Sequence, residues 1–466
     1  PTLPPIDDED IIVRDGHRLA GNRLNVLFGA ETDRQDAARW TDSFKELYPS
    51  GINQVLFYDP ETKLMSVQVD PSMRAEMLTA LPGQISDIEF IVFEETVMEP
   101  TERPSDPIFG NSELSWFYEP TGIYDAWDIT QGSENVIVAV VDSYFDLDNQ
   151  EFAHTSIVSP YSVANGSSDV SLPDGYSSSS PDQVLAHGTM VSGLIFAAPD
   201  NGNGAAGISP GCQFMPVSLG HRFGCLAMLQ GLLYAINHGA KVVNISAGLS
   251  FAEEVENLSD IEQITLSRNI LLDQENVWKY VFDMAEKFYV TIVWAAGNDN
   301  IFTAIDASKR GDKTIKVSSV GCTLNKANFS NYGNFPAEGI FESTVSAPGE
   351  HIYGLLPGTD HGLDVKGTSF SAPIVAGAVG LMKSLDMSLG TRQIVSILQS
   401  TGKPVESDSR VGPSINVAKA LERVREGFLP YDSLAAYMAA ASGVLMVPTT
   451  LNSPLELTDT AASTAL

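Results

Sequence analysis

Apolar positions in the first hundred residues follow two alternating periods. Asn25 to Gly29 is a short apolar strand. From Arg34 to Leu47, Ala37, Trp40, Phe44 and Leu47 recur at helical spacing and predict an amphipathic helix. Gln54 to Tyr58 and Leu64 to Val69 predict two strands joined at Asp59-Pro60, with Met65, Val67 and Val69 alternating. Asp70 is a helix cap, Pro71 a first helical residue, and Met73, Met77 and Leu81 an inner face. Ile88 to Phe93 is a last strand. The order βαββαβ predicts a small α+β sandwich over residues 23–98, a fold silent about function by itself.

A different texture begins beyond residue 112. Val136 to Val141 is an unbroken aliphatic run, as in a strand buried on both faces of a parallel sheet. Similar runs follow at 241–245 and 290–293, and helical stretches at Cys225 to His238 and Asn276 to Lys287 lie between them. Alternation of this kind predicts an α/β domain with a mostly parallel sheet flanked by helices, over residues 113–427. Residues 1–22, proline-rich and carrying Asp7-Asp8-Glu9-Asp10, predict a flexible leader, and 99–112 a linker. The Thr/Ser/Ala-rich end of the extension 428–466 predicts disorder.

Charge narrows the partners. The 466 residues hold 27 Lys+Arg against 59 Asp+Glu, a formal net charge of −32. Nucleic acid and anionic membrane surfaces both need clustered cations, so neither is expected. The uncharged stretch Leu434 to Val447 is shorter than the ~20 residues a span requires, and no membrane span is expected. Cys212, Cys225 and Cys322 contain no CxxC pair and leave the redox compartment open. A secreted or periplasmic setting is expected, with the cytoplasm as the alternative.

Three residues carry candidate chemistry. Asp142 directly follows the buried run, at the end of a parallel strand where functional groups gather. His187 opens His187-Gly188-Thr189 at the start of an apolar helix. Ser369 lies in Gly367-Thr368-Ser369-Phe370-Ser371-Ala372-Pro373, a glycine turn into a small-residue helix whose N-terminus can receive an anion. Singly, each reads as readily as a turn, a structural histidine or an N-cap. Together they stand in the order Asp, His, Ser, with intervals of 45 and 182 residues.

That order and these blocks, with Ala295-Ala296-Gly297-Asn298, resemble the subtilisin-like serine peptidases over roughly residues 105–427. Gly204 to Pro210, Phe329-Ser330-Asn331-Tyr332-Gly333 and Ser346-Ala347-Pro348-Gly349 are similar to framework of that family. The resemblance implies a serine endopeptidase acting on peptide or protein substrates. Ser369 would attack the carbonyl, His187 serve as base and then acid, and Asp142 orient the imidazole. Asn298 would donate to the oxyanion, and Ser246, Ala247, Gly248, Ala295, Ala296 and Gly297 would bind substrate. Small residues in these walls suggest room for a sizeable side chain. Two departures from the family pattern are Tyr144, where glycine is usual, and Trp294, where smaller residues are common.

The resemblance also gives the βαββαβ module a meaning: an N-terminal propeptide that chaperones and inhibits its own enzyme, with a tail near Glu94 to Pro104 and a processing site in the linker. No Lys-Arg pair marks that site; Arg103 precedes Pro104, and Met98 is an apolar candidate. No cofactor is required. Asp200-Asn201-Gly202-Asn203-Gly204 could ligate a structural calcium, but an Asn-Gly turn needs no metal, and both readings stay open. No catalytic metal is expected, because the histidines lack HExxH spacing. Glu253, Glu254, Glu256, Asp260 and Glu262 suggest a preference for basic residues upstream of the cut, or simply a solvated face. The alternatives are a catalytically silent peptide-binding homologue and a dedicated maturation protease for one peptide.

Overall fold

The six elements expected of the N-terminal module all form. In the computed structural model, which describes residues 6, 10–14, 17–49, 51–80, 88–94, 104–249, 251, 255, 257–359 and 361–427, a four-stranded sheet runs in the order Ile52–Asp59, Leu64–Val69, Arg23–Phe28, Phe90–Phe93. Every pairing is antiparallel. Helix Arg34–Leu47 starts where Asp33 and Asp36 form a reciprocal capping box. Its apolar face supplies Trp40 and Phe44, stacked at 4.8 Å and fully buried, with Phe28 edge-on to Trp40.

Two local expectations change here. The second helix is Arg74–Ala80 and does not begin at Pro71. Asp70 Oδ1 accepts from Ser72 N and Oγ, and this side-chain turn delays the helix. The expected flexible leader contains a hairpin, Ile11–Arg14 paired with His17–Ala20. Its β-branched run Ile11-Ile12-Val13 suits a strand, and Leu19 and Ala20 are buried.

The chain divides into compact units at Pro1–Pro100 and Thr101–Leu466. The second unit is an α/β domain around a seven-stranded sheet. Its strands, in spatial order, are Val345–Pro348, Ile315–Val320, Thr291–Ala295, Val242–Ile245, Ile137–Asp142, Gln213–Ser218 and Tyr161–Ser162. All pairings are parallel. Residues of strand Ile137–Asp142 alternate between two cores. Val138 and Val140 join the cluster under helices Gln183–Phe196 and Thr368–Leu385. Ala139 and Val141 join the one under Cys225–Asn237 and Leu272–Lys287. Burial on both faces explains the unbroken aliphatic runs.

This unit begins earlier than the expected residue 113. Ile108 and Asp106 are buried, and Asp106 accepts from the backbone N–H groups of Asp200, Asn201 and Gly202. The expectations for Leu434 to Val447, the rest of 428–466, Met98, Arg103, Glu253, Glu254 and Glu256 lie outside the described residues. Among the described residues, no helix is long and apolar enough to cross a membrane.

Candidate active site

Strand Ile137–Asp142 delivers Asp142 at its carboxyl end, 3% exposed. The chain crosses the sheet here: Gln213–Ser218 lies on one side of this strand and Val242–Ile245 on the other. Such a switch point opens a crevice at the carboxyl edge. Helix Gln183–Phe196, capped by Asp182, carries His187 to that edge. His187 Nδ1 lies 2.7 Å from Asp142 Oδ1, which also accepts from Ser143 N at 2.7 Å. Ser143 Oγ donates to Leu185 O and accepts from Gly188 N, so the strand end and the helix start hold each other in register.

Burial, the largest influence on His187, disfavours its charged ring. The charge of Asp142 and the hydrogen bond to it outweigh this and raise the pKa above the ordinary imidazole value.

Ser369 stands in the first turn of helix Thr368–Leu385, where backbone N–H donors have no intrahelical acceptor. Pro373 lies inside that helix and cannot donate to the carbonyl four residues back, which is Ser369 O. Ser246 fills the gap: its Oγ donates to Ser369 O at 2.8 Å. In return, Ser369 Oγ donates to Ser246 O at 3.1 Å. Ser246, expected to bind substrate, thus also positions the serine. Among the described residues, Ser369 makes no hydrogen bond to His187, although the His187 ring lies 5.7 Å from that of Phe370.

Asn298 follows strand Thr291–Ala295. Its Oδ1 accepts from Thr368 N at 2.8 Å and Thr368 Oγ1 at 3.0 Å. A backbone N–H can only donate, so this pairing fixes the amide and leaves the Asn298 NH2 facing Gly367. Gly367 has φ +144°, a backbone conformation that favours glycine, and a Cβ there would stand in ordinary contact with Asn298 Nδ2 at 3.4 Å. Asn331, read only as framework, supports the turn. Its Oδ1 accepts from Asp299 N and Ile301 N, and its Nδ2 donates to Ala296 O. No local signal in the sequence indicates that role.

The remaining predicted binding residues separate. Ala295 is buried in the core. Ala247 packs partly against the second core, and Gly248 and Gly297 reach the surface. The expected room between these walls is taken up: the buried Lys309 donates from Nζ to Ala296 O at 3.3 Å and lies against Gly248. Tyr144 turns toward the segment after strand Gln213–Ser218, its hydroxyl 3.1 Å from His221 Nδ1. Trp294 is buried edge-on to Trp278. Asp260 pairs with Arg410 and accepts from Tyr332 Oη, and Glu262 caps its own helix; two of the five acids thus serve the fold.

The candidate calcium loop is organised around a carboxylate. Asp106 receives three of its amides, Asp200 Oδ1 accepts from Ser105 N, and Asn201 Oδ1 accepts from Asn203 N. Converging N–H groups make a nest for an anion, the role Asp106 fills. Among the described residues, no group of three or more His, Cys, Asp or Glu could hold a metal.

A parallel sheet flanked by helices, with Asp142, His187, Asn298 and Ser369 in that chain order, has the arrangement of the subtilisin-like fold. Comparison with known proteins agrees: a model of the subtilase family matches residues 133–415. The chain belongs to the subtilase family, the subtilisin-like serine peptidases. It is 28% identical to thermitase of Thermoactinomyces vulgaris over 286 residues, 60% of this chain and 85% of thermitase. It is 27% identical to a thermophilic serine proteinase of Bacillus sp. (strain AK1) over 272 residues, 57% of each chain. The chain thus spans little more than half of that relative. A solved protease structure from Pseudoalteromonas arctica shares the fold, with a TM-score of 0.54 at 23% identity over 69% of this chain and all of that one.

Proposed function

We propose that the protein is a serine endopeptidase in which Ser369 is the nucleophile, His187 the general base and acid, and Asp142 the group that orients and stabilises the imidazolium. The observation that carries this reading is the 2.7 Å contact of His187 Nδ1 with a buried carboxylate, at the same sheet edge as a serine on a helix N-terminus. A serine hydroxyl is a poor nucleophile at neutral pH, so a base must take its proton as the carbon–oxygen bond forms. Rotation of Ser369 Oγ from Ser246 O toward His187 Nε2 would make that contact. Catalytic hydrogen bonds commonly tighten only once substrate is bound. The Ser369 N–H and the Asn298 amide would receive the oxyanion.

Two outcomes follow. Replacing Asn298 with leucine should lower kcat by about 100- to 1000-fold with little change in KM, the scale on which one oxyanion donor acts. The base must be neutral to accept a proton. Activity should therefore fall as pH drops through the raised His187 pKa, with the acid limb of kcat/KM centred above the ordinary imidazole value. A pH–rate profile on a short peptide measures it.

We further propose that the βαββαβ module is an inhibitory propeptide, as expected for an enzyme that stays silent until it has left the cytoplasm. No cofactor enters the proposed chemistry. Intact-mass analysis tests the zymogen reading. The purified chain should cut itself in the segment joining the two units, and S369A should not; a chain that stays whole would contradict it. The Ser369-to-Ser246 hydrogen bond favours one second reading, a silent peptide-binding homologue. That reading requires peptide binding without any turnover.

A further inference from the structure

A buried ion pair stands between the two walls expected to receive the side chain on the acyl side of the cut. Those walls, Ser246-Ala247-Gly248 and Ala296-Gly297, follow neighbouring strands Val242–Ile245 and Thr291–Ala295. Lys309 and Asp306 rise between them from the short turn Ala307–Lys309. Their side chains are 3% and 4% exposed, and Lys309 Nζ lies 3.4 Å from Asp306 Oδ2. Asp306 is firmly held: Oδ2 accepts from Leu249 N at 3.1 Å, and Oδ1 from Ser308 N at 3.0 Å and Ser308 Oγ at 2.6 Å. Among the described residues, Lys309 is anchored by Asp306 and Ala296 O alone, at 3.4 and 3.3 Å. Both distances are long for a charge-assisted bond. A Cβ on Gly248 would collide with Lys309 Nζ, so the ammonium occupies the space beside that glycine.

We propose that Lys309 and Asp306 form the floor of the primary specificity pocket and restrict it to short, uncharged side chains such as those of glycine, alanine and serine. The proposal rests on the endopeptidase reading above. The lysine stem and ammonium take the volume that an aromatic or long aliphatic side chain would need. Such a side chain would also press an apolar surface against a buried charged pair that it cannot hydrogen-bond, which is unfavourable. Because the pair is neutral as a unit, neither a cationic nor an anionic substrate residue gains from it. Removing one partner breaks that balance: without Lys309 the pocket deepens and the Asp306 carboxylate lacks its counter-charge.

The test is a peptide library of constant flanks, varied only at the residue before the cut and read by mass spectrometry, on the self-processed enzyme. Ser369 labelling by a fluorophosphonate is measured in parallel. The wild type should cut after alanine, serine or glycine at least roughly 10-fold faster than after phenylalanine, leucine, lysine or glutamate, the scale on which pocket contacts discriminate. K309A should move the preference to lysine and arginine. The double variant K309A/D306A carries no unpaired charge and should accept phenylalanine and leucine; it keeps the idea testable if K309A does not fold. A labelled wild type that prefers phenylalanine or leucine, or a labelled variant with an unchanged profile, would overturn the pocket proposal alone. A wild type that takes no label would overturn the endopeptidase reading, and the pocket proposal with it.

Discussion

Alanine in place of Ser369 should lower kcat for peptide hydrolysis by about a million-fold, while the melting temperature changes by no more than a few degrees. The two halves of this expectation have separate causes. Ser369 Oγ is the atom that would bond to the carbonyl carbon, and alanine has no atom to replace it. Its structural role is slight: among the described residues, the hydroxyl makes one neutral hydrogen bond, to Ser246 O, worth about 1 kcal/mol. The carbonyl of residue 369 would still accept from Ser246 Oγ, so the proline-interrupted helix keeps its start. Binding should survive, because the backbone N–H and the Asn298 amide remain. Kinetics on a chromogenic peptide and a thermal melt of both proteins give the comparison.

Replacing Asp142 with asparagine should cost about ten thousand-fold in kcat. Asp142 Oδ1 accepts from both His187 Nδ1 and Ser143 N. An asparagine that keeps its oxygen toward Ser143 N can still accept from His187, but it has no charge to stabilise an imidazolium. One that turns its NH2 toward His187 forces Nδ1 to accept and places the ring proton on Nε2, where it cannot take a proton from serine. The same change removes what raises the His187 pKa, so the acid limb should move to lower pH. A pH–rate profile of D142N against wild type reads both effects. A merely structural aspartate would lower stability without moving the limb.

Some of this architecture is legible in the chain because local pattern and tertiary burial agree. Val136 to Val141 reads as a doubly covered strand because both faces meet helices. The helix Arg34–Leu47 reads to its ends because its apolar stripe and its cap coincide. Strand Gln213–Ser218 hides a proline, Pro216, which argues against a strand in sequence. Strand Ile315–Val320 carries Lys316, Ser318 and Ser319, all fully or almost fully buried. Lys316 reaches Gly311 O and Glu342, and Ser318 and Ser319 bond to buried partners, so polarity there did not mean exposure.

The candidate site divides in the same way. Asp142, His187, Asn298 and Ser369 stand out because each sits in a short block with a recognisable pattern. The contents of the pocket do not, because Lys309 acts on Gly248 from 61 positions away in the chain. Small residues at Gly248 and Ala296 read as empty space in sequence, and only the fold shows what fills it. Tyr144 is a similar case: the sequence leaves open where its ring goes, and the structure turns it to His221.

The most direct measurement of the central claim is covalent labelling of the self-processed protein with a fluorophosphonate, followed by peptide mass mapping. The account predicts one adduct, on Ser369, lost in S369A and strongly slowed in H187A. An intact, folded, processed protein that gains no adduct at Ser369, or one labelled equally fast in H187A, would contradict it.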